Sequence, residues 1–114
     1  MKRYKRTEEV TLMQAIAEMY DFHPKSHKKV LVFDIVDENG DIISRIGTFW
    51  SRWDKQWKYF ESSDGLPTFA QTSKHFLSNL FCGKNQRGMI YSAQQGKFKV
   101  FRADTGAEVC DEEK

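Results

Sequence analysis

The sequence predicts an α+β fold in which two helices pack on a mainly antiparallel sheet, with the elements in the order α-β-β-β-α-β-β. Three observations carry that prediction. Apolar residues recur at helical spacing between Thr7 and Tyr20, β-branched and aromatic runs flank Asn39-Gly40, and a Thr-x-x-Gln pattern at Thr68 to Gln71 precedes a second apolar stripe. With 114 residues and no Pro- or Gly-rich linker, residues 1–114 read as one domain, with a basic amino-terminal arm (1–6) and an acidic carboxy-terminal tail (104–114).

In the first helix Val10, Leu12, Met13, Ile16, Ala17, Met19 and Tyr20 share one broad face. Thr7 caps it, and Glu8 and Glu9 occupy the first turn, where carboxylates suit the positive end of the helix dipole. Pro24 ends it, because the residue before a proline is pushed out of helical conformation. The run from Val30 to Val36 is apolar on both faces and so belongs in the middle of a sheet. Asn39-Gly40 then predicts a type I′ turn, in which both central residues take positive φ. Trp50 to Phe60 reads as a second hairpin turning near Asp54-Lys55, with Gly47 marking a bend or bulge before it. A second helix opens at the Thr68–Gln71 capping box, presents Phe69, Phe76, Leu77, Leu80 and Phe81 to the core, and stops at Gly83. Residues 88–93 and 97–102 close the fold as a hairpin turning at Gln94-Gln95-Gly96.

The first five elements run in the same order as those of a double-stranded-RNA-binding domain. The resemblance is one of order: that family's basic signature at the start of the second helix is absent, and Thr68-Phe69-Ala70-Gln71 stands there, so no residue roles are carried over. Asp104-Thr105-Gly106-Ala107 resembles the signature of retroviral-type aspartic proteases. Such an enzyme needs two carboxylates sharing a proton, and in that family an apolar strand leads into the signature, where this chain has Arg102 and Ala103. Asp-Thr-Gly after a strand is also what a tight turn uses, with Asp bonding its own backbone and Gly at positive φ, and that is the role predicted for Asp104.

Other catalytic patterns do not assemble. His23 and His27 stand four apart, but Pro24 disfavours the helix that would place both imidazoles on one face. Ser73 and His75, two apart, point to different sides of a helix, and Cys82 closes an apolar face. With no phosphate loop, nucleophile elbow or metal motif, the sequence predicts no enzyme, no metal and no cofactor. Cys82 and Cys110 lack CxxC spacing and are too few for a disulfide framework, which predicts a reduced, cytoplasmic setting. The amino terminus is basic but is interrupted by Glu8 and Glu9 without an unbroken apolar run, so it reads as neither a signal peptide nor a membrane span.

The net charge of +2 hides an uneven distribution. Between Gly65 and Ala103 there is no Asp or Glu, while Lys74, Lys84, Arg87, Lys97, Lys99 and Arg102 all fall there. Strand alternation in KFKVFR places Lys97, Lys99 and Phe101 on one side and Phe98, Val100 and Arg102 on the other. Cations interleaved with aromatics suit nucleic acid, with Lys and Arg at phosphates and Tyr91 or Phe101 stacked on unpaired bases. Arg52, Lys55 and Lys58 around Trp53 and Trp57 extend the pattern, diluted by Asp54 and Glu61. A protein is the alternative partner, because Trp, Tyr and Arg dominate interface hot spots and Trp50, Arg52, Trp53, Trp57 and Tyr59 concentrate them in the hairpin 49–60. The sequence therefore predicts a small non-enzymatic binding protein. It contacts nucleic acid through residues 74–102 or, alternatively, acts on a protein partner as an inhibitor, adaptor or subunit.

Overall fold

In the computed structural model, which describes residues 3–63, 66–82 and 96–106, the elements run β-α-β-β-β-β-α-β. They are β1 (Lys5–Val10), α1 (Leu12–Tyr20), β2 (Val32–Val36), β3 (Ile42–Ser51), β4 (Gln56–Ser63), β5 (Leu66–Gln71), α2 (His75–Cys82) and β6 (Lys99–Asp104). They build one compact α+β domain whose six-stranded sheet has the order β1-β6-β2-β3-β4-β5, with every pairing antiparallel. Strands β2 to β5 form a meander, and α2 returns the chain so that β6 inserts between β1 and β2. The predicted class holds, but the predicted order lacks β1 and β5, so the parallel with the order of a double-stranded-RNA-binding domain does not hold. The predicted strand 88–93, its turn at Gln94-Gln95 and the stop at Gly83 lie outside the described residues.

Both helix starts differ from prediction, and for related reasons. Residues 5–10 are a strand, and α1 begins only after Thr11. The Thr11 Oγ1 accepts the Gln14 N–H at 3.0 Å and the Gln14 Oε1 accepts the Thr11 N–H at 2.8 Å, a reciprocal capping box that Thr7, with Val10 three residues on, cannot form. The same Thr-x-x-Gln pattern at Thr68–Gln71 opens no helix. Those residues lie in β5, an edge strand that pairs with β4 through Tyr59 to Gln71, Phe60 to Ala70 and Glu61 to Phe69. A ladder of backbone hydrogen bonds outweighs a cap worth about 1 kcal/mol, and an edge strand tolerates Pro67. The α2 helix starts at His75 instead, where Ser73 Oγ accepts the His75 N–H at 3.1 Å and the Ser73 carbonyl accepts that of Phe76 at 3.2 Å.

The two turns and Gly47 also have their own physical reasons. Asn39-Gly40 does reverse the chain between β2 and β3, but only Gly40 has positive φ, at 85°, so the turn is not type I′. Asp37 organises it: its N–H donates to the Asp41 carbonyl at 2.9 Å, and its Oδ1 accepts the N–H groups of Asn39 at 2.8 Å and Asp41 at 3.0 Å. This is a three-residue loop closed by a left-handed glycine. The second hairpin turns at residues 52–55 as predicted, with Trp50 opposite Trp57. Gly47 sits in regular pairing between Val32 and Phe60, with neither bend nor bulge. A Cβ there would collide with the Leu31 carbonyl oxygen and stand 2.9 Å from the Phe60 ring, so glycine is required by close backbone approach.

Cross-strand partners share a face, so the register divides the sheet. Val10, Val100 and Ile35 lie on the face covered by the helices, as do Phe33 and Ile46, and they pack with Ala15, Ile16 and Met19 of α1 and Phe76, Leu77 and Leu80 of α2. Glu61, opposite Ile46, is 0 % exposed on this side, so it does not dilute a surface patch as the sequence suggested. The apolar face predicted for the first helix is narrower than drawn. Met13, Ala17 and Tyr20 are exposed and, with Ile16 and Leu77, line a shallow apolar groove of about 400 Å³. Phe101, Asp34 and Arg45 lie on the opposite face, where the Arg45 Nε donates to Asp34 Oδ1 at 2.5 Å and the Tyr4 ring lies 4.5 Å from the Arg45 guanidinium.

Candidate nucleic-acid interface

The alternation predicted for residues 97–102 is the one the fold uses. Val100 is buried in the core and Phe98 packs partly against it. Lys97 and Lys99 are exposed, and Phe101 is half-buried on the face away from the helices. β1 adds Arg6 to this end of the sheet: its guanidinium stands 5.5 Å from the Phe101 ring centroid, a cation–π contact, and donates to the Gly40 carbonyl at 2.9 Å. Together with the turn at 37–41, these residues enclose a cleft of about 330 Å³ lined by Arg6, Asp37, Glu38, Lys97, Lys99 and Phe101. Neither lysine has an ion-pair partner among the described residues. The Asp37 carboxylate is engaged by the turn N–H groups, and the opposing charges nearby are Glu38 in the cleft and Glu9, opposite Phe101 on β1.

Arg102, three residues beyond Lys99, has a different fate. Its guanidinium donates to both Glu18 oxygens, at 2.7 and 2.9 Å, and to Glu8 at 3.3 Å, and it lies over the Phe33 ring at 5.4 Å. The Glu18 hydrogen bonds, first, hold its pKa above the ordinary arginine value. Lys74 lies elsewhere, with its Nζ 4.4 Å from the Tyr20 ring centroid. Tyr20 ends α1 whereas Val10, beside Val100, precedes it, so roughly 13 Å of helix separates Lys74 from the cleft. Lys84, Arg87 and Tyr91 lie outside the described residues.

The tryptophan hairpin is divided in the same way between packing and exposure. Trp50 and Trp57 meet edge to face at 5.8 Å, and Trp57 also contacts Phe22 at 5.1 Å. Tyr59 is buried in the core, and burial pushes its hydroxyl pKa up. Arg52 is exposed, and Trp53 is 97 % exposed. Asp54, which the sequence set against the cations here, pairs with Lys58 and accepts from Ser51 Oγ, and these contacts hold its carboxyl below the ordinary range.

Asp104 is a turn residue. Its Oδ1 accepts the Gly106 N–H at 2.9 Å, Gly106 has φ of 75°, and Lys29 Nζ stands 3.4 Å from the carboxylate. The Gly106 N–H foremost, then Lys29, hold its pKa below the usual carboxylate value. His23 and His27 flank a tight turn in which the N–H groups of Ser26 and His27 donate to the His23 carbonyl at 3.0 Å, and the His27 ring packs on Phe22 at 4.9 Å. Among the described residues no three His, Cys, Asp or Glu side chains gather as a metal site, and no helix is long and apolar enough to cross a membrane.

Sequence reasoning missed the buried Asp34–Arg45 pair. The turn alone does not reveal it: a loop centred on Glu38 to Gly40 puts Asp34 opposite Ser44, and only the register shift between Ile35 and Val36 brings Asp34 opposite Arg45. No protein-family model, curated protein or solved structure matches this chain.

Proposed function

We propose that this protein is a non-enzymatic binding domain for nucleic acid, which it engages through the cleft at the start of β6. The observation that carries the reading is the pair of open cations there: Lys97 and Lys99 are exposed, lack carboxylate partners among the described residues, and share the cleft with Arg6 and the Phe101 ring. Phosphates neutralised by these lysines release condensed counterions, and an unpaired base finds an aromatic ring beside them. Lys84, Arg87 and Tyr91 belong to the proposed contact set by their place in the carboxylate-free stretch. Arg102 drops out because its donors are taken by Glu18 and Glu8, and Lys74 because it stands at the far end of α1. The reduced, cytoplasmic setting read from the cysteines is part of the same proposal.

Docking of a protein partner on the hairpin 49–60 is the second reading. The exposure of Arg52 and Trp53 favours it, whereas Tyr59, Trp57 and Trp50 are engaged in packing. The test of the first reading is the variant Lys97→Glu/Lys99→Glu in a fluorescence-anisotropy titration of labelled single-stranded DNA. Affinity should fall at least about ten-fold at low salt, and the slope of log K against log salt should shrink by about 1.4, for two lost contacts at roughly 0.7 each. The circular-dichroism spectrum should stay unchanged. Unaltered affinity in a folded variant contradicts the assignment.

A further inference from the structure

We infer that the tip of the β3–β4 hairpin is a second contact for the same ligand, in which Trp53 stacks on an unpaired base of a single strand while Arg52 and Lys55 meet the flanking phosphates. The inference rests on the nucleic-acid reading above and specifies the form of nucleic acid recognised.

The chemistry of the tip favours this ligand. Trp53 is 97 % exposed, so its indole contributes almost nothing to the core, against which Trp57 packs with Trp50 at its edge. The turn beneath it is nonetheless held at several points. The Lys55 N–H donates to the Ser51 carbonyl at 2.7 Å, the Asp54 N–H donates to Ser51 Oγ at 3.3 Å, and that hydroxyl donates to Asp54 Oδ2 at 3.0 Å. Lys55 takes φ of 52°, a left-handed conformation that glycine or asparagine adopts with less strain, and a cation stands at that position instead. The one carboxylate of the tip, Asp54, is neutralised by Lys58. Arg52 and Lys55, which flank the indole in sequence, are exposed and form no ion pair among the described residues.

An exposed indole with exposed cations before and after it in the same turn is complementary to a base between two phosphates, and the base must be unstacked from a partner strand to offer its face. The charge of the tip disfavours an apolar protein pocket, which would have to desolvate Arg52 and Lys55 along with the ring. β3 spans ten residues between the 37–41 turn, beside the lysine cleft, and the tip. At about 3.3 Å per residue the two contacts are roughly 30 Å apart, so they are separable by mutation.

The experiment combines two readouts on the full chain with a labelled oligothymidylate of about twenty nucleotides at low salt. Anisotropy reports binding, and tryptophan emission reports stacking, because Trp50 and Trp57 are partly packed and Trp53 is the exposed emitter. The expected result is quenching in the wild type that Trp53→Phe abolishes, and at least about a five-fold loss of affinity in Trp53→Ala. Binding by anisotropy with unquenched emission and an unchanged Trp53→Ala affinity overturns this inference and leaves the lysine cleft as the site. Absence of any anisotropy change in the wild type overturns the nucleic-acid reading itself. Equal affinity for single strand and duplex, with Trp53→Ala neutral on both, also overturns the inference.

Discussion

The two ends of β6 carry the same kind of charge and use it in opposite ways. At its far end Arg102 is neutralised by Glu18 of α1 and Glu8 of β1, which lie more than 80 residues away in the chain. At its near end Lys99, with Lys97 two residues before it, forms no ion pair among the described residues. A run of basic residues in sequence is therefore not yet a basic surface. What decides is which carboxylates close on the cations: Glu8 of β1 and Glu18 of α1 close on Arg102, whereas Glu9 of β1, opposite Phe101 on the lysine face, forms no ion pair with Lys97 or Lys99. Arg45 extends the first kind to its limit, since its partner Asp34 is 0 % exposed and both charges lie out of water.

Neutralisation is costliest to remove where it is buried. Asp34→Ala should lower unfolding stability by about 3–5 kcal/mol, because it leaves the Arg45 guanidinium buried without its counter-charge. The readout is urea denaturation, and a double replacement by apolar residues of similar volume should recover much of the loss. At the half-exposed end of β6, Arg102→Met should cost about 1 kcal/mol, since solvent screens a pair of this exposure. The salt slope for nucleic acid should not change in that variant, and a shallower slope would return Arg102 to the binding surface.

Asp104→Asn should have a smaller effect, confined to acid pH. The folded pKa of Asp104 lies below its ordinary value of about 3.9, so its contribution to stability is present above that pH and is lost as pH falls through the folded pKa. The stability gap between wild type and variant should therefore close as pH falls from about 5 through the folded pKa. A gap that stays constant over that range would show that the Lys29 and Gly106 contacts do not depend on the carboxylate charge. The smallest change in stability belongs to Lys97→Glu/Lys99→Glu, within about 0.5 kcal/mol of wild type, because both side chains are exposed and form no ion pair among the described residues.

The sequence made the fold class legible because its strongest signals are local. Val30 to Val36 reads as a central strand and becomes β2, and the Asp54-Lys55 turn stands where aromatic density predicted a hairpin. Local signals failed where they were shared between competing outcomes. Thr11–Gln14 and Thr68–Gln71 carry the same capping pattern, yet only the first starts a helix, because the second is recruited as a strand by β4. β1 was invisible for a similar reason: Glu8 and Glu9 look like a helix first turn, and only the distant β6 makes a strand of them.

The candidate site follows the same rule. The side-by-side placement of Lys97, Lys99 and Phe101 was legible from period-two alternation. The removal of Arg102 by Glu18, of Asp54 by Lys58 and of Glu61 by burial was not, because each depends on register or on packing from another element. Arg6 entered the site for that reason too, from β1 rather than from a free basic arm.

Binding of nucleic acid through open cations is what we propose for this surface. It is tested most directly by anisotropy of a labelled single strand and its matching duplex, titrated with the protein from about 50 to 200 mM salt. Saturable binding is expected, tighter for the single strand, with log K falling linearly in log salt and a slope of magnitude about 2 or more. No binding at the lowest salt, or binding that salt leaves unchanged, would contradict it.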